Sequence, residues 1–390
     1  MKICFICSEY PPGPHGGIGT MTQVLSRALA AEGHEVQSIG VYPQNYPGPD
    51  REEDNGVRIR RLRGSGRPFE WAFHRLRLYR DIAGLARRGA VDLVEAPDYE
   101  GWVAGWQRLS APVVVRLHGS QTYFASELGK RVRKTAFALE RSALRRADFW
   151  CSVCRYTAER TRELFALTSE PSAILYNPVE VPDLPTAQSR HSQRVVFSGT
   201  LTPKKGIISL ADAWPMVLAK CSNAELHIYG KDGRTEAGGS MREHLRRRLG
   251  EAARSVSFHG HVSREALFQA YFHARVAVFP SHAEAFAMAP LESMACECPT
   301  IYSRRGSGPE LLAHGREGLL IDPDQPEEIA AAIVRVIEED AFAARMGRRA
   351  RQHVIDKFSV QTLVRKNVEF YRDALQRFQA PHAKRVAVAV

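Results

Sequence analysis

Short apolar runs alternate with amphipathic helical segments along this chain, and this alternation restricts the fold more than any other feature. In the first half the apolar runs fall at residues 3–7, 36–41, 57–62, 91–95, 113–117, 149–153 and 174–176. In the second half they fall at residues 195–197, 225–229, 256–258, 276–279, 300–302 and 318–321. Strands that alternate with helices are typical of a parallel sheet with helices on both faces. The sequence therefore predicts an α/β protein with two doubly wound halves, whose ligands bind at the carboxyl ends of the strands.

A polar segment with several prolines, residues 181–193, separates the two halves. A chain of 390 residues exceeds one average core, so two domains are expected. We predict a first domain over residues 1–183, a linker over 184–193 and a second domain over 194–357. The alternating arginines of the run at 57–62 indicate an edge or exposed strand.

The composition excludes several classes of protein. Hydrophobic residues make up 44% of the chain and charged residues 25%, as in globular proteins and unlike disordered or fibrous ones. No apolar run is long enough to span a bilayer, and the first residues favour a buried strand over a signal peptide. The net charge of +11 allows an anionic partner such as nucleic acid, a phosphorylated small molecule or an acidic membrane face.

The seven cysteines, an odd number in a core-forming chain, predict free thiols in a reducing cytoplasm. Cys4 and Cys7, like Cys151 and Cys154, have a spacing that zinc ligands also use. Each pair lies in or beside a predicted strand, where residues three apart face opposite ways. We therefore expect no metal site at either pair and a cytoplasmic location.

The segment 280–301, PSHAEAFAMAPLESMACECPTI, carries the strongest indication of a binding site. Glu284 follows a buried strand, and Pro290 suits the first turn of a helix that begins near Ala289. A helix N-terminus after a parallel strand attracts anions through its free N–H groups and its dipole. Two nearby carboxylates suit a nucleotide diphosphate whose sugar hydroxyls donate to them. Alternatively, Glu292 complements the helix dipole in that first turn and Glu284 is a solvated loop residue.

Glycines follow the first strand of each half, where they let the backbone approach a ligand. Gly16 and Gly17 open the first helix, with a glycine spacing that is not the dinucleotide fingerprint. Lys204 and Lys205 precede Gly206 at the matching place in the second half. Two lysines at a helix start oppose its dipole unless an anion offsets them, so Lys205 is a candidate phosphate contact. The alternatives are a plain glycine-rich turn and a solvated lysine pair.

Polar residues also follow two strands of the first half. His118 comes after the run at 113–117, and Glu95, Asp98 and Tyr99 end or follow the run at 91–95. These side chains would suit a polyhydroxylated acceptor. A structural histidine and a solvated loop are the alternatives.

Asp322 and Asp324 resemble an acid pair that chelates a metal. We expect them instead to cap the helix that begins near Pro326, and we predict no metal site there.

Two basic runs lie in the first half. One comprises Arg58, Arg60, Arg61, Arg63, Arg67, Arg75, Arg77, Arg80, Arg87 and Arg88, and the other Lys130, Arg131, Arg133, Lys134, Arg141, Arg145 and Arg146. They suit a solvated face, a nucleic-acid surface or a face that docks on an anionic membrane. Aromatic residues are not interleaved as in a stacking platform, so nucleic acid is the least favoured partner.

The chain resembles the retaining glycosyltransferases of family 4, also called group 1, which have the GT-B fold. The resemblance covers nearly the whole chain and is carried by PPGPHGGIGT, HG at 118–119, TAERTRELF, YNPVE, GTLTPKKG, the segment 280–301, GPELLAHGREGLLIDPD and the final FSV and VEFYRDAL. It implies two Rossmann-like domains that face each other across a cleft. The first would bind the acceptor and the second the nucleotide-sugar, and a helix over residues 358–380 would cross back to the first domain.

The resemblance also implies roles for individual residues. Those implied in donor binding are Gly16, Gly17, Thr200, Lys205, Val262, Glu284, Phe286, Ala287, Met288, Ala289 and Glu292. Glu292 would bind the ribose, and Glu284 the hydroxyls of the transferred sugar. Lys205, the Gly16–Gly17 loop and the backbone N–H groups of residues 287–289 would hold the diphosphate. His118 would lie near the reacting sugar, and the base would lie against the Val262 segment.

The function that the resemblance implies is transfer of a hexose-type sugar from a nucleotide diphosphate donor to an acceptor hydroxyl, with retention and without a metal or other cofactor. A sugar-nucleotide-binding protein or partner subunit without activity is the alternative. It is favoured by Thr200, where the family often has arginine, and by Ala287, where it usually has glycine. A GT-B epimerase of sugar nucleotides is a weaker alternative. The acceptor is left open among a glycan, a glycolipid and a small molecule, and the arginine runs suggest peripheral contact with the inner membrane face.

Overall fold

The computed structural model of this protein describes residues 1–13, 15–46, 48–64, 70–186 and 190–380. Pro14 of the first glycine-rich loop, Arg67 of the first basic run and residues 187–189 of the predicted linker lie outside these ranges. The chain divides into two units: unit 1 is Met1–Pro178 with Val360–Val390, and unit 2 is Val179–Ser359. Within the described ranges no helix combines the length and the apolar character needed to cross a membrane.

Unit 1 is built on one eight-stranded sheet. Its strands are β1 (Lys2–Ile6), β2 (Glu35–Tyr42), β3 (Arg51–Asp54), β4 (Val57–Arg63), β5 (Leu93–Pro97), β6 (Val113–Leu117), β7 (Phe149–Ser152) and β8 (Ala173–Ile174). Its first helices are α1 (Gly17–Ala31), α2 (Glu70–Arg87), α3 (Gln121–Glu127), α4 (Lys134–Arg146) and α5 (Arg155–Phe165). The strand order is β3-β4-β2-β1-β5-β6-β7-β8, and every pair is parallel except β3 with β4.

The charged strand β3 was not expected from the sequence, and it corrects the prediction that the run at 57–62 forms an edge. Asn55 and Gly56, both with positive φ, make a tight turn that folds β3 back on β4 in antiparallel register. The Asn-Gly pair is the local signal that indicates this hairpin. Because β3 takes the edge, Arg61 of β4 is buried, and its guanidinium lies 2.7 Å from a carboxylate oxygen of Glu52.

Unit 2 is built on a six-stranded, all-parallel sheet. Its strands are β9 (Arg194–Ser198), β10 (Glu225–Tyr229), β11 (Val256–Gly260), β12 (Val276–Phe279), β13 (Thr300–Ser303) and β14 (Leu319–Ile321), in the order β11-β10-β9-β12-β13-β14. Its helices are α6 (Ile207–Lys220), α7 (Met241–Leu249), α8 (Arg264–His273), α9 (Met288–Ala295), α10 (Gly308–Leu311), α11 (Pro326–Glu338) and α12 (Asp340–Phe358). The predicted α/β class with two doubly wound sheets is therefore confirmed.

The last helix, α13 (Val360–Gln379), belongs to unit 1 and not to the unit that precedes it in the chain. Its buried face joins the core of unit 1 through Val364, Val368 and Tyr371. The chain enters unit 2 at Val179, which pairs with Ser359, earlier than the expected linker. The described residues of the expected linker all belong to unit 2, where Arg190 donates to four backbone carbonyls.

All seven cysteines are free, as the sequence predicted, and the structure shows that all are buried. Cys4 joins one hydrophobic cluster of unit 1 with Ile6, whereas Cys7 joins the cluster on the other face of the sheet with Ile3 and Phe5. The opposite facing that argued against a shared metal is therefore observed. Burial raises the pKa of the Cys4 thiol to about 12, so it stays protonated.

Candidate active site

The loop after β12 carries Glu284, and a lysine from the loop after β9 lies against it. The Lys205 ammonium nitrogen lies 2.5 Å from Oε1 of Glu284, whose residue is 8% exposed. Burial would raise the pKa of Glu284, but the charges of Lys205 and Lys204 hold it below its ordinary value. The structure thus brings together two of the residues that the sequence singled out, in an ionised pair.

Two glycines fix this loop contact. Gly206 has a φ of 70°, and a side chain there would place Cβ 1.7 Å from the carbonyl oxygen of Pro280. Gly206 therefore lets the lysine loop pack directly on the end of β12, where the backbone N–H of His282 donates to the carbonyl of Lys204 at 2.8 Å. Gly306, with a φ of 62°, approaches the carbonyl of Glu284 from the other side. The position of Glu284 thus depends on backbone packing from both sides.

Helix α9 follows this loop and begins at Met288, one residue earlier than predicted. Ala287 stands at the N-cap position, and among the described residues no side chain caps the helix. The first-turn N–H groups, of which Pro290 contributes none, are therefore available to an anion. Glu292 lies in the second turn, which corrects the expectation that it stands in the first and weakens the alternative that it merely complements the dipole.

Glu292 is buried and held by an arginine that the sequence did not identify. Arg264, at the start of α8, places one guanidinium nitrogen 3.2 Å from Glu292 and another 2.9 Å from Glu180. Burial raises the pKa of Glu292, while Arg264 opposes that rise and Glu180 adds to it. The sequence signal for this contact was the position of Arg264 in the first turn of α8. A cation there opposes the helix dipole unless a carboxylate lies near it.

Other predicted donor residues lie around the same sheet edge, with different exposure. Thr200 is exposed in the loop after β9, and Val262 is half-buried after β11. Because all six strands are parallel, the loops after β9, β11 and β12 leave the sheet at one edge. Phe286 is mostly buried, with its ring centroid 6.2 Å from that of Phe358, so its side chain is part of the core beneath the loop.

In unit 1, His118 and Asp98 meet at the carboxyl ends of β6 and β5. The backbone N–H of His118 donates to Oδ1 of Asp98 at 2.8 Å. Asp98 is 1% exposed, and its Oδ2 accepts no hydrogen bond from the described residues. Burial raises the pKa of Asp98 to about 7, and burial together with Arg116 lowers the pKa of His118 to about 3. The Asp98 carboxyl thus holds the backbone of His118, whose imidazole is neutral, and Tyr99 is exposed next to Asp98 in the chain.

Glu95, which the sequence grouped with Asp98 and Tyr99, lies in a different environment from theirs. Both of its carboxylate oxygens accept hydrogen bonds from Arg116, at 2.8 and 2.9 Å, and the Tyr371 hydroxyl adds a third at 2.7 Å. This buried network occupies the carboxylate fully. The structure therefore gives Glu95 a place in the core of unit 1, not one suited to an acceptor.

The first glycine-rich loop has a partner that the sequence did not predict. The carboxylate of Glu9 accepts hydrogen bonds from the N–H groups of Gly16, at 3.1 Å, and Gly19, at 2.8 Å. An acidic side chain therefore already occupies amides at the start of α1. Fewer free N–H groups therefore remain at that helix end for a phosphate than the predicted role of Gly16 and Gly17 requires.

Asp322 and Asp324 do not cap α11, which corrects the prediction made for them. The helix begins at Pro326 after Gln325, and no side chain of the described residues caps it. Asp322 instead lies 3.0 Å from Arg305, and Asp324 contacts Arg305 and lies 3.1 Å from His282. Among the described residues, no group of three or more His, Cys, Asp or Glu could hold a metal ion.

Two family models match the chain, one for each unit. The model described as a glycosyl transferase 4-like domain matches residues 16–178, and the model described as glycosyl transferases group 1 matches residues 192–339. The chain belongs to the group 1 glycosyltransferases, family 4. The predicted family is thereby confirmed, and the lysine loop and the Glu284 loop both lie inside the second match.

Relatives of this glycosyltransferase match over nearly its full length. An uncharacterised glycosyltransferase of Methanocaldococcus jannaschii is 26% identical over 96% of this chain and 99% of its own. A glycogen synthase of Mycobacterium tuberculosis is 25% identical, over 98% and 97% of the two chains. A GDP-mannose-dependent phosphatidylinositol monomannoside mannosyltransferase from that organism is 26% identical, over 95% and 98%.

Solved structures share the fold at lower identity. Sucrose-phosphate synthase from Thermosynechococcus elongatus superposes with a TM-score of 0.82 at 23% identity, covering 96% of this chain and 99% of its own. HepE of Anabaena, in complex with UDP and glucose, gives a TM-score of 0.72 at 17% identity, covering 96% and 100%. These likenesses agree with the predicted GT-B fold.

Proposed function

We propose that this glycosyltransferase moves a hexose-type sugar from a nucleotide diphosphate donor to an acceptor hydroxyl with retention of configuration. The observation that carries the proposal is the ionised pair of Lys205 and Glu284, beside the uncapped start of α9. It brings positive charge for a diphosphate and a carboxylate for sugar hydroxyls to one sheet edge. The printed names of relatives support a nucleotide-sugar donor, since one is GDP-mannose-dependent and one structure holds UDP and glucose.

In this proposal the groups of unit 2 divide the donor between them. Lys205 and the first N–H groups of α9, at residues 287–289, hold the diphosphate. Glu284 accepts hydrogen bonds from hydroxyls of the transferred sugar, because its lowered pKa keeps it ionised and a pure acceptor. Glu292 accepts from the ribose, and Arg264 keeps its carboxylate oriented before the donor arrives.

For the chemical step we favour displacement on the face that the leaving group occupies. The bond between the sugar and the diphosphate oxygen breaks, the bond to the acceptor oxygen forms, and the acceptor proton passes to the departing diphosphate. Lys205 and the helix amides stabilise the charge that develops on that diphosphate. Because these groups meet the charge, we propose that the reaction needs no metal. His118 and Asp98 of unit 1 are proposed on the acceptor side.

The test is a transfer assay on the purified full-length protein with a panel of nucleotide-sugars and acceptors. Lys205→Ala should lower kcat/KM roughly 100-fold or more, because it removes a group that meets the charge developing on the diphosphate. Glu292→Ala should also lower kcat/KM, because the contact to the ribose is lost. Lys220→Ala, an exposed lysine at the end of α6, is the matched control and should retain full activity. Full activity in both site variants would contradict the proposed donor site.

Thermal shift with the same nucleotide-sugars separates activity from binding. A ligand that binds only the folded state raises its melting temperature, so the panel should identify the base and the sugar. A nucleotide-sugar that binds but is neither hydrolysed nor transferred would favour the alternative of a non-catalytic binding protein. The specific observation for that alternative is the exposed Thr200, which brings no charge to the diphosphate.

A further inference from the structure

The N-terminal half of α2 exposes an unusual amount of apolar surface. Trp71 is 54% exposed, Phe73 59% and Leu76 44%, and these are the three most exposed large hydrophobic side chains of the described residues. All three lie within the first two turns of one helix. Phe73 and Leu76 share one helix face, whereas Trp71 lies on the other side of the first turn. Single exposed apolar residues are normal, but three of them at the start of one helix indicate a docking surface. We call these three residues the α2 patch.

The α2 patch continues into an open groove of unit 1. The groove has a volume of about 360 Å³ and is lined mainly by apolar and aromatic side chains. Its lining includes Trp71, Leu76, Tyr79, Trp106 and Leu139. The apolar surface is therefore broader than the helix alone, and it lies between α2 and α4.

Uncompensated positive charge lies on the same face of the helix as Phe73 and Leu76. Phe73, Leu76, Arg77 and Arg80 are spaced i, i+3, i+4 and i+7, which places them on one face. Arg77 and Arg80 are exposed, and neither pairs with a carboxylate in the part of the chain that the structure describes. The acids of this helix are engaged elsewhere: Glu70 pairs with His74 at 2.9 Å, and Asp81 pairs with Arg60 at 3.1 Å.

The arginines of β4, which the sequence grouped with those of α2, do not add to this surface. Arg58, Arg60, Arg61 and Arg63 each lie within 3.3 Å of a carboxylate oxygen. Their charges are compensated within unit 1. The positive charge next to Phe73 and Leu76 therefore comes from Arg77 and Arg80 of α2 and not from β4.

We infer that α2 docks on the headgroup region of an anionic lipid bilayer. An aromatic and an aliphatic side chain that share one helix face with arginines lacking a carboxylate partner are the pattern of a helix that lies in the membrane interface. Phe73 and Leu76 enter the boundary between headgroups and acyl chains. Arg77 and Arg80 meet the lipid phosphates, where each basic residue adds about 1 kcal/mol, or roughly fivefold, to partitioning. This docking does not depend on the proposed glycosyl transfer.

The experiment is co-sedimentation of the full-length protein with vesicles of phosphatidylglycerol and phosphatidylcholine, against phosphatidylcholine alone. We expect binding to the anionic vesicles, and part of it should persist near 1 M salt, where the Debye length is about 3 Å. Phe73→Glu and Leu76→Glu should each lower partitioning roughly tenfold, as expected from losing a buried apolar side chain and adding a charge. Met216→Glu is the matched control, since Met216 is 39% exposed on α6 of unit 2, and it should change nothing.

Tryptophan fluorescence keeps the test independent of the charged variants, should they fold poorly. In Phe73→Trp, brominated lipid should quench the added emission and anionic vesicles should blue-shift it, because this position enters the bilayer. Added emission in Phe73→Trp that lipid neither quenches nor shifts would overturn the assignment of this helix face. So would binding that high salt abolishes and Phe73→Glu leaves intact, since arginines alone would then account for it. A dimer in the absence of lipid that Phe73→Glu dissociates would assign the patch to a second copy of the chain instead.

Discussion

Glu284 and Glu292 are both buried carboxylates of unit 2, but their charges act on folding in opposite directions. The pKa of Glu284 is lowered in the folded state against an ordinary value of 4.5. Its ionised form therefore stabilises the fold above that pH, and this contribution is lost as the pH falls through the folded-state pKa. The pKa of Glu292 is raised. Its ionised form therefore opposes folding at neutral pH, which is the expected condition of a side chain kept for a ligand.

Matched substitutions at these two residues should separate stability from donor binding. Glu284→Gln should lower the free energy of unfolding at pH 7 by about 2 kcal/mol, because it breaks a buried pair whose lysine is partly solvated. The deficit should shrink as the pH falls below 4.5. Glu292→Gln should leave the unfolding free energy equal to or above that of the wild type. Denaturant unfolding across pH measures both, and isothermal titration should find donor binding weakened in each. A Glu292→Gln variant that is clearly less stable at pH 7 would show that the ionised carboxylate stabilises the fold and does not oppose it.

At the scale of elements, α13 is tied to the sheet of unit 1 by a buried polar network. The Arg116 guanidinium on β6 is fully buried and donates to Glu95 on β5 and, at 2.6 Å, to Oδ1 of Asn367 on α13. The amide of Asn367 in turn donates to the Leu363 carbonyl at 2.7 Å. A buried charge is costly to leave without hydrogen-bond partners, so α13 stabilises Arg116 by supplying one of its acceptors.

Removing one partner from this network should destabilise unit 1. Asn367→Ala should lower its unfolding free energy by about 2 kcal/mol, because a buried guanidinium loses one of its acceptors. Lys366→Ala, the exposed neighbour on the same helix, is the control and should lie within about 0.5 kcal/mol of the wild type. Chemical denaturation followed by far-UV circular dichroism measures both. Equal stabilities for the two variants would show that α13 is held by its apolar face alone.

The sequence predicted the elements of this fold better than the partners of its polar residues. Apolar runs marked nearly all of the strands, because burial on both faces of a parallel sheet imposes a continuous hydrophobic pattern. The charged strand β3 lacks that pattern, and only the Asn55-Gly56 turn indicates it. Periodicity cannot predict that Glu95 meets an arginine and a tyrosine from distant elements. The sequence therefore indicated that this carboxylate binds the acceptor substrate, whereas the structure shows that it belongs to the core of unit 1.

The same distinction holds for the candidate site. Lys205 and Glu284 were predicted because each stands at a strand end beside a helix start, a local pattern with a physical meaning. Arg264 and Glu9 were missed because what they do depends on contacts made across the fold, to Glu292 and to the start of α1. Sequence patterns identify residues that can meet a ligand. They do not reveal which of these residues are already paired with another group of the protein.

At the scale of the whole molecule, the two units differ in how the chain builds them. Unit 2 is one continuous segment, whereas unit 1 is completed only when the chain returns through α13. Lys205, Glu284 and Glu292 all belong to unit 2. A ligand that binds one folded unit stabilises that unit by mass action, so donor binding should be visible in the unfolding of a single part of the molecule.

Calorimetry of the full-length protein should resolve two transitions, because each unit has its own core. Asn367→Ala should lower only one of them and so identify it as unit 1. A nucleoside diphosphate at about 100 times its dissociation constant should stabilise the other by about 2.7 kcal/mol. Lys205→Ala should abolish that nucleotide-dependent gain, whatever its own starting temperature, because the ammonium group that meets the diphosphate is gone. A nucleotide that raises only the transition lowered by Asn367→Ala would assign the donor to unit 1, and the role proposed for Lys205 would then be wrong.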